Sequence, residues 1–234
     1  MKDLDFNSVL FHGIGRFKYK LDPEAELKVL EDILKSGAIL SREEQIREFG
    51  EEYVEARVSG FDGFSNWNGG TYVSICQKKP TAPELKTKYQ VAAKTTDESI
   101  SFKKFVKYGI GIIISPMVFS LYRPHNNFLQ DGEYQIKNKI PKKFFMGITV
   151  NAPVIENYVN FFKSINCPSD VLYAKTKAIY EESIIKQIED LLEKYNYNLP
   201  IYTMQGKPHR PSKEILNELR LAAGIKNEDE DQLA

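Results

Sequence analysis

Apolar residues recur at helical spacing in "DPEAELKVLEDILKSG", where Leu27, Leu30, Ile33 and Leu34 share one face and predict a helix over 22–36. Asp22 is placed to cap it, Pro23 suits its first position, Glu24 and Glu26 sit at its positive end, and Gly37 is the natural stop. On either side the pattern is of strand type. "NSVLFH" (7–12) is a short apolar run ending in a His-Gly step, "TYVSIC" (71–76) and Ile110–Ser115 are buried strands, and "FFMGITV" (144–150) is another. In "EYQIK" (133–137) Tyr134 and Ile136 point one way while Glu133, Gln135 and Lys137 point the other.

The stretch "AILSREEQIREFGEEYVEARVSGF" reads as helix and loop with a solvated charged face, and "GFDGFSNWNGG" (60–70) as a loop rich in Gly, Asn and aromatics. "QKKPTAPELKTKYQVAAKTTDES" is loop-like, and a short helix precedes Ile110. Beyond Asn151 the period changes to helical. "APVIENYVNFFKSI" is one helix, and "SDVLYAKTKAIYEESIIKQIEDLLEKYN" is a long one whose apolar face holds Ile184, Ile188, Leu191 and Tyr195. "LPIYTM" is extended, "PSKEILNELRLAAG" is a last helix, and an acidic tail follows. Strands first and helices afterwards predict an α+β fold, with residues 1–150 as a core and 151–234 as a helical C-terminal extension packed on it.

Composition narrows the function classes. With 42% hydrophobic and 12% aromatic residues the 234-residue chain can bury a core. Thirty-two basic residues balance thirty-two acidic ones, which removes the overall positive charge of a dedicated nucleic-acid binder. Cys76 and Cys167 show no metal-ligand spacing, so no metal site is expected, and two unpatterned cysteines fit a reducing cytosol. No apolar run approaches the roughly 20 residues of a membrane span. The expectation is a cytoplasmic protein, or one delivered into a target cell by a route that needs no signal peptide.

Three strands each place a chemically capable residue next to glycine: His12 before Gly13, Tyr72 after Gly69-Gly70-Thr71, and Glu133 after Gly132. In that chain order, with Ile140-Pro141 and "KKFFMGI" following Glu133 and "LKVLEDILKSGAILSR" following the His-Gly strand, the sequence resembles the ADP-ribosyltransferase superfamily. It is most similar to the His-Tyr-Glu branch of poly(ADP-ribose) polymerases and diphtheria-type toxins. The likeness covers residues 8–150 through these short motifs alone.

The resemblance implies a split β-sandwich core in which His12, Tyr72 and Glu133 converge on one cleft between two small sheets. It implies NAD as substrate, transfer of ADP-ribose to a protein or nucleic acid, release of nicotinamide, and a bacterial toxin or effector with an antitoxin or immunity partner. Glu133 would stabilise the ribose cation, Tyr72 would stack on nicotinamide, and Gly13 would meet its amide. His12 would bind the adenosine ribose, Ser74 would support Glu133, and Arg42 would meet the pyrophosphate. Tyr89 or Phe102 would supply a second stacking ring, and loop 60–70 with Trp67 a lid or acceptor surface. A second register reads "EYQ" as a Glu-x-Glu motif with Gln135 in the catalytic slot; the Glu133–Pro141 spacing favours the first.

Two other functions stay open. The same fold can be a degraded module that holds NAD, ADP-ribose or a protein partner, or an RNA 2′-phosphotransferase. His125 and His209, in Pro-flanked polar segments, read as surface residues, and Lys137, Lys139, Lys142 and Lys143 as a solvated loop.

Overall fold

A computed structural model describes residues 2–5, 8–14, 23–58, 70–77, 110–125, 133–150, 152–203 and 206–226. It is an α+β structure whose chain divides into two compact units, Met1–Asn151 with Leu191–Pro208, and Ala152–Asp190 with His209–Ala234. The first boundary lies beside the expected one at residue 150. The return of 191–208 to the first unit is not anticipated by a single cut.

The first unit is built on a six-stranded sheet. Its strands are β1 (Leu10–Ile14), β3 (Tyr72–Gln77), β4 (Ile110–Ile114), β5 (Glu133–Lys137), β7 (Phe145–Val150) and β8 (Ile201–Tyr202), in the order β5-β3-β1-β4-β7-β8. All neighbours are antiparallel except β7 and β8. A second, two-stranded sheet pairs β2 (Ala38–Leu40) with β6 (Lys139–Pro141). The predicted strands are present, with β1 shifted so that His12 lies in its middle rather than at its end.

β4 is buried at all five positions, as a strand with sheet neighbours on both edges and apolar layers on both faces must be. Its register with β1 runs without a bulge from Leu10↔Ile114 to Ile14↔Ile110. Leu10, Ile14, Ile112 and Ile114 therefore fall on one face, with Val73, Ile75 and Ile136 of the next two strands. Phe11 and Ile113 fall on the other, where Phe11 packs against Val9, Ile113 and Tyr202.

α1 (Pro23–Ser36) follows the predicted face, with Leu27, Leu30, Ile33 and Leu34 buried. Gly37, at φ 69°, stops it with its N–H on the Ile33 carbonyl. α2 (Arg42–Phe49) begins where the Ser41 hydroxyl accepts from the Glu44 N–H, and α3 (Glu51–Val58) follows Gly50. Lys194 and the Tyr195 hydroxyl both bind Glu31 of α1, at 2.8 and 3.0 Å, and Tyr197 donates to the Leu34 carbonyl at 3.0 Å. The Lys194 bond, then Lys28, pull the Glu31 carboxyl down to about 2. These contacts fasten the returning chain before it joins the sheet as β8. α4 (Val118–Leu121) is a single short turn after β4.

The second unit holds α5 (Ile155–Ser164), α6 (Ser169–Glu181), the start of α7 (Ile184–Lys194) and α8 (Ser212–Ala222). One long helix was expected over 169–196; two are found. The Ser183 hydroxyl donates to the Tyr180 carbonyl and accepts from the Lys186 N–H at 3.1 Å, closing α6 and capping α7. The buried face of α7 is Ile185, Ile188 and Leu192, so Ile188 is shared with the expected face while Ile185 and Leu192 take the places of Ile184 and Leu191. Among the described residues no helix is long and apolar enough to cross a membrane. Residues 60–69, Tyr89, Phe102 and the acidic tail lie outside the described residues, so the expected lid, second stacking ring and pre-strand helix are not located.

β7 and β8 leave no room for a side chain at Gly147. A Cβ there would stand 2.8 Å from the Pro200 carbonyl oxygen and 3.0 Å from the Tyr202 ring. Gly147→Ala is expected to lower the unfolding free energy by about 1–3 kcal/mol, measured by urea denaturation. An unchanged midpoint would contradict the close β7–β8 packing.

Candidate functional site

The three strands that carry the predicted triad are spatial neighbours. β3 lies between β1 and β5, although long stretches of chain separate them in sequence. β3 pairs with β5 along its length, from Tyr72↔Lys137 through Ser74↔Gln135 to Cys76↔Glu133. With β1 it pairs only at Leu10↔Gln77 and Phe11↔Cys76. Past that point, among the described residues, β1 and β3 form a fork. His12 and Gly13 lie on one arm, Tyr72 at the end of the other, and Glu133 is in the row that closes it.

Strand alternation then assigns faces. Counting by twos from the Phe11↔Cys76 pair, Tyr72, Ser74 and Glu133 occupy positions of one face and His12 those of the opposite face. The expected single cleft is not what this register builds. His12 lies with Leu10 and Ile14 and lines a pocket of about 40 Å³ against α1, β2 and α2, together with Asp32, Ser36 and Gln45. That volume suits one or two water molecules. Asp32 is buried there and accepts from the Tyr53 hydroxyl at 3.0 Å on both oxygens. Burial and then the Asp32 carboxylate push the Tyr53 phenol up.

Glu133 and Tyr72 also stand at opposite ends of their ladder. Four residue steps separate their rows, about 13 Å of strand at 3.3–3.4 Å per residue. The Glu133 and Ser74 side chains lie outside the described part of the structure; their strand positions are described.

The open end of the fork is furnished by other residues. The Tyr72 ring stacks on His125, with centroids 5.1 Å apart and planes 16° from parallel. His125 is held by its own N–H, which donates to the Gln135 carbonyl of β5 at 2.9 Å. Arg42, first residue of α2, packs on Gly70: a Cβ at Gly70 would meet the Arg42 Cβ at 3.1 Å. The Thr71 hydroxyl donates to Glu43 at 2.8 Å, and the Asn138 N–H to the Thr71 carbonyl at 2.8 Å. Arg42, Tyr72 and His125 thus gather at one end of β3. His125 is exposed, as its sequence setting predicts, and also belongs to this group; its Pro-flanked setting gave no periodic signal for that, and only the bridge to β5 brings it there.

A second polar constellation lies wholly in the other unit. His209, whose side chain is 1% exposed, has Nε2 3.0 Å from the Ser212 hydroxyl and Nδ1 3.5 Å from Glu156. The spacing has the outline of a nucleophilic Ser–His–carboxylate set. Two facts remove that chemistry. Ser212 is completely buried, and its hydroxyl donates to Glu189 at 3.0 Å, which leaves it accepting from His209 rather than giving up a proton. The expectation of a surface residue is overturned for His209, which is buried. Among the described residues no group of three or more His, Cys, Asp or Glu is arranged to hold a metal ion.

No protein-family model, curated protein or solved structure matches the chain.

If Tyr72 and His125 stabilise each other through their stack, a double-mutant cycle with Tyr72→Ala and His125→Ala should give a coupling of about 0.5–1.5 kcal/mol. Urea denaturation of the four proteins measures it, and additive losses would show that the rings touch without mutual benefit.

Proposed function

We propose that the chain is an NAD-dependent mono-ADP-ribosyltransferase, with its reaction centre along the β1–β3–β5 fork. The observation that carries this reading is the adjacency of three non-consecutive strands bearing His12-Gly13, Tyr72 and Glu133, two of which part beside the glycine. Gly13 has no Cβ, so a planar amide can approach its backbone groups closely.

In the reaction the bond between nicotinamide nitrogen and ribose C1′ breaks with its electron pair on nicotinamide, which leaves as a neutral ring. The ribose becomes oxocarbenium-like. Glu133 supplies the negative charge opposite it, an electrostatic role directed at charge that exists only near the transition state. The acceptor nucleophile then bonds C1′ and gives up its proton. Arg42 is the cation for the pyrophosphate. Tyr72, one strand-length from Glu133, serves a part of the dinucleotide other than the reacting sugar. The acceptor is a protein or nucleic acid.

The second reading is a module of the same kind that binds NAD or ADP-ribose without turnover. It draws on the placement of His12, which faces the Asp32 pocket rather than the Tyr72 side.

Purified protein incubated with NAD is expected to release nicotinamide, and Glu133→Gln to reduce that rate about 10²–10³-fold, the range for losing one transition-state electrostatic partner. NAD affinity by calorimetry should change little. Full activity in Glu133→Gln would overturn the catalytic assignment, and binding without release in wild type would favour the module.

A further inference from the structure

The buried histidine of the second unit has a protonation state that its hydrogen bonds dictate. Glu189 Oε1 accepts from both the Ser212 N–H, at 3.2 Å, and the Ser212 hydroxyl, at 3.0 Å. The hydroxyl proton being spent on Glu189, its oxygen can only accept, so His209 Nε2 must carry a hydrogen. On the other side of the ring, Nδ1 faces Glu156 Oε2 at 3.5 Å, and both atoms are buried with no other hydrogen-bond partner. A bare Nδ1 would set a lone pair against a carboxylate oxygen. A protonated Nδ1 gives both orphaned atoms the partner they lack.

We propose that His209 is a buried imidazolium that clamps the start of α8 to α5 and α7, and that its deprotonation releases the clamp. The charged groups against the ring are Glu156 from α5 and Glu189 from α7, with the Ser212 hydroxyl from α8. Tyr180 of α6 meets Glu189 rather than the ring, Asp190 pairs with Lys186, and Glu214 acts on Arg210. Tyr180 donates to the second Glu189 oxygen and holds that carboxylate in place. Arg210 is drawn outward by a pair with Glu218 and leaves the interior positive charge to His209.

The electrostatics agree in direction. Burial lowers the imidazole's affinity for its proton, but Glu156 and then Glu189 outweigh it and hold the value above the ordinary 6.5. Burial raises Glu156 and Glu189, but the His209 contact together with backbone N–H groups at Glu156, and with Tyr180 and Ser212 at Glu189, outweighs it, so both lie below the usual carboxylate value. A raised histidine contributes stability that is complete below its unfolded value and lost as pH rises through the folded one. The two carboxylates contribute above their unfolded value and lose it only as pH falls through their depressed one. The clamp is therefore closed at pH values below the ordinary histidine value and above the depressed carboxylate values, and it opens as pH rises through the raised value of His209.

The test uses the full-length chain. Three histidines are present, so the ring-nitrogen signals of ¹⁵N-histidine-labelled protein can be assigned with His12→Asn and His125→Asn proteins. Below pH 6.5, His209 should show two protonated ring nitrogens, giving way to one as pH rises above that value. Amide exchange at the start of α8 should accelerate across the same step, and in Glu156→Gln the step should move to lower pH. A neutral His209 at pH 6.5 would overturn the proposal. So would an exchange profile at α8 that ignores the His209 titration, a readout that survives even if a variant fails to fold.

Discussion

Register between β1 and β4 is the constraint on which the first unit depends. Five consecutive pairs with no bulge leave each β1 side chain one allowed face, and a slip of one residue would exchange them all. Leu10 and Ile14 go to the α1 layer, joined by Ile112 and Ile114 of β4. Each such side chain contributes about 1.5–3 kcal/mol when fully buried. Turning His12 toward the Tyr72 face would move Leu10 and Ile14 off the α1 layer. The burial of those two residues thus decides where the histidine points, and the site has to be arranged around that decision.

The two-stranded sheet completes the arrangement. Asn138, at φ 66°, turns the chain from β5 to β6, receives the Ser41 N–H on its carbonyl at 2.7 Å and donates its own N–H to Thr71. One residue thereby ties the cap of α2 to the start of β3, and this is why Arg42 comes to rest beside Gly70 and Tyr72. Pro141, which looks odd after a strand in sequence, ends β6 opposite Ala38, where the missing N–H costs no ladder bond. The segment from Glu133 to Pro141 is a strand, a turn and a short strand that together hold the open end of the fork.

Much of this was legible where periodicity was strong. The face of α1, its glycine stop, the buried β4 and the alternation of β5 follow directly from residue order. The face of β1 was not legible, because Val9, Leu10 and Phe11 are all apolar and hide the period of two; only Ile14 breaks the tie. The division of the long C-terminal helix was hidden for a different reason. Ser183 is unremarkable in composition, and its capping role appears only once its hydroxyl is seen on Lys186. The groupings of Tyr72 with His125, and of His209 with Glu156 and Glu189, depend on which surfaces meet, and residue order does not carry that.

The proposed NAD site is the β1–β3–β5 fork. The direct measurement is an amide NMR titration of the assigned full-length protein with NAD. If NAD binds in the fork, saturable shifts concentrate at His12–Ile14, Thr71–Ile75 and Glu133–Gln135, with the amides of α5, α6 and α8 unmoved. Saturable shifts that leave those three segments untouched, or no shifts at millimolar NAD, would contradict it.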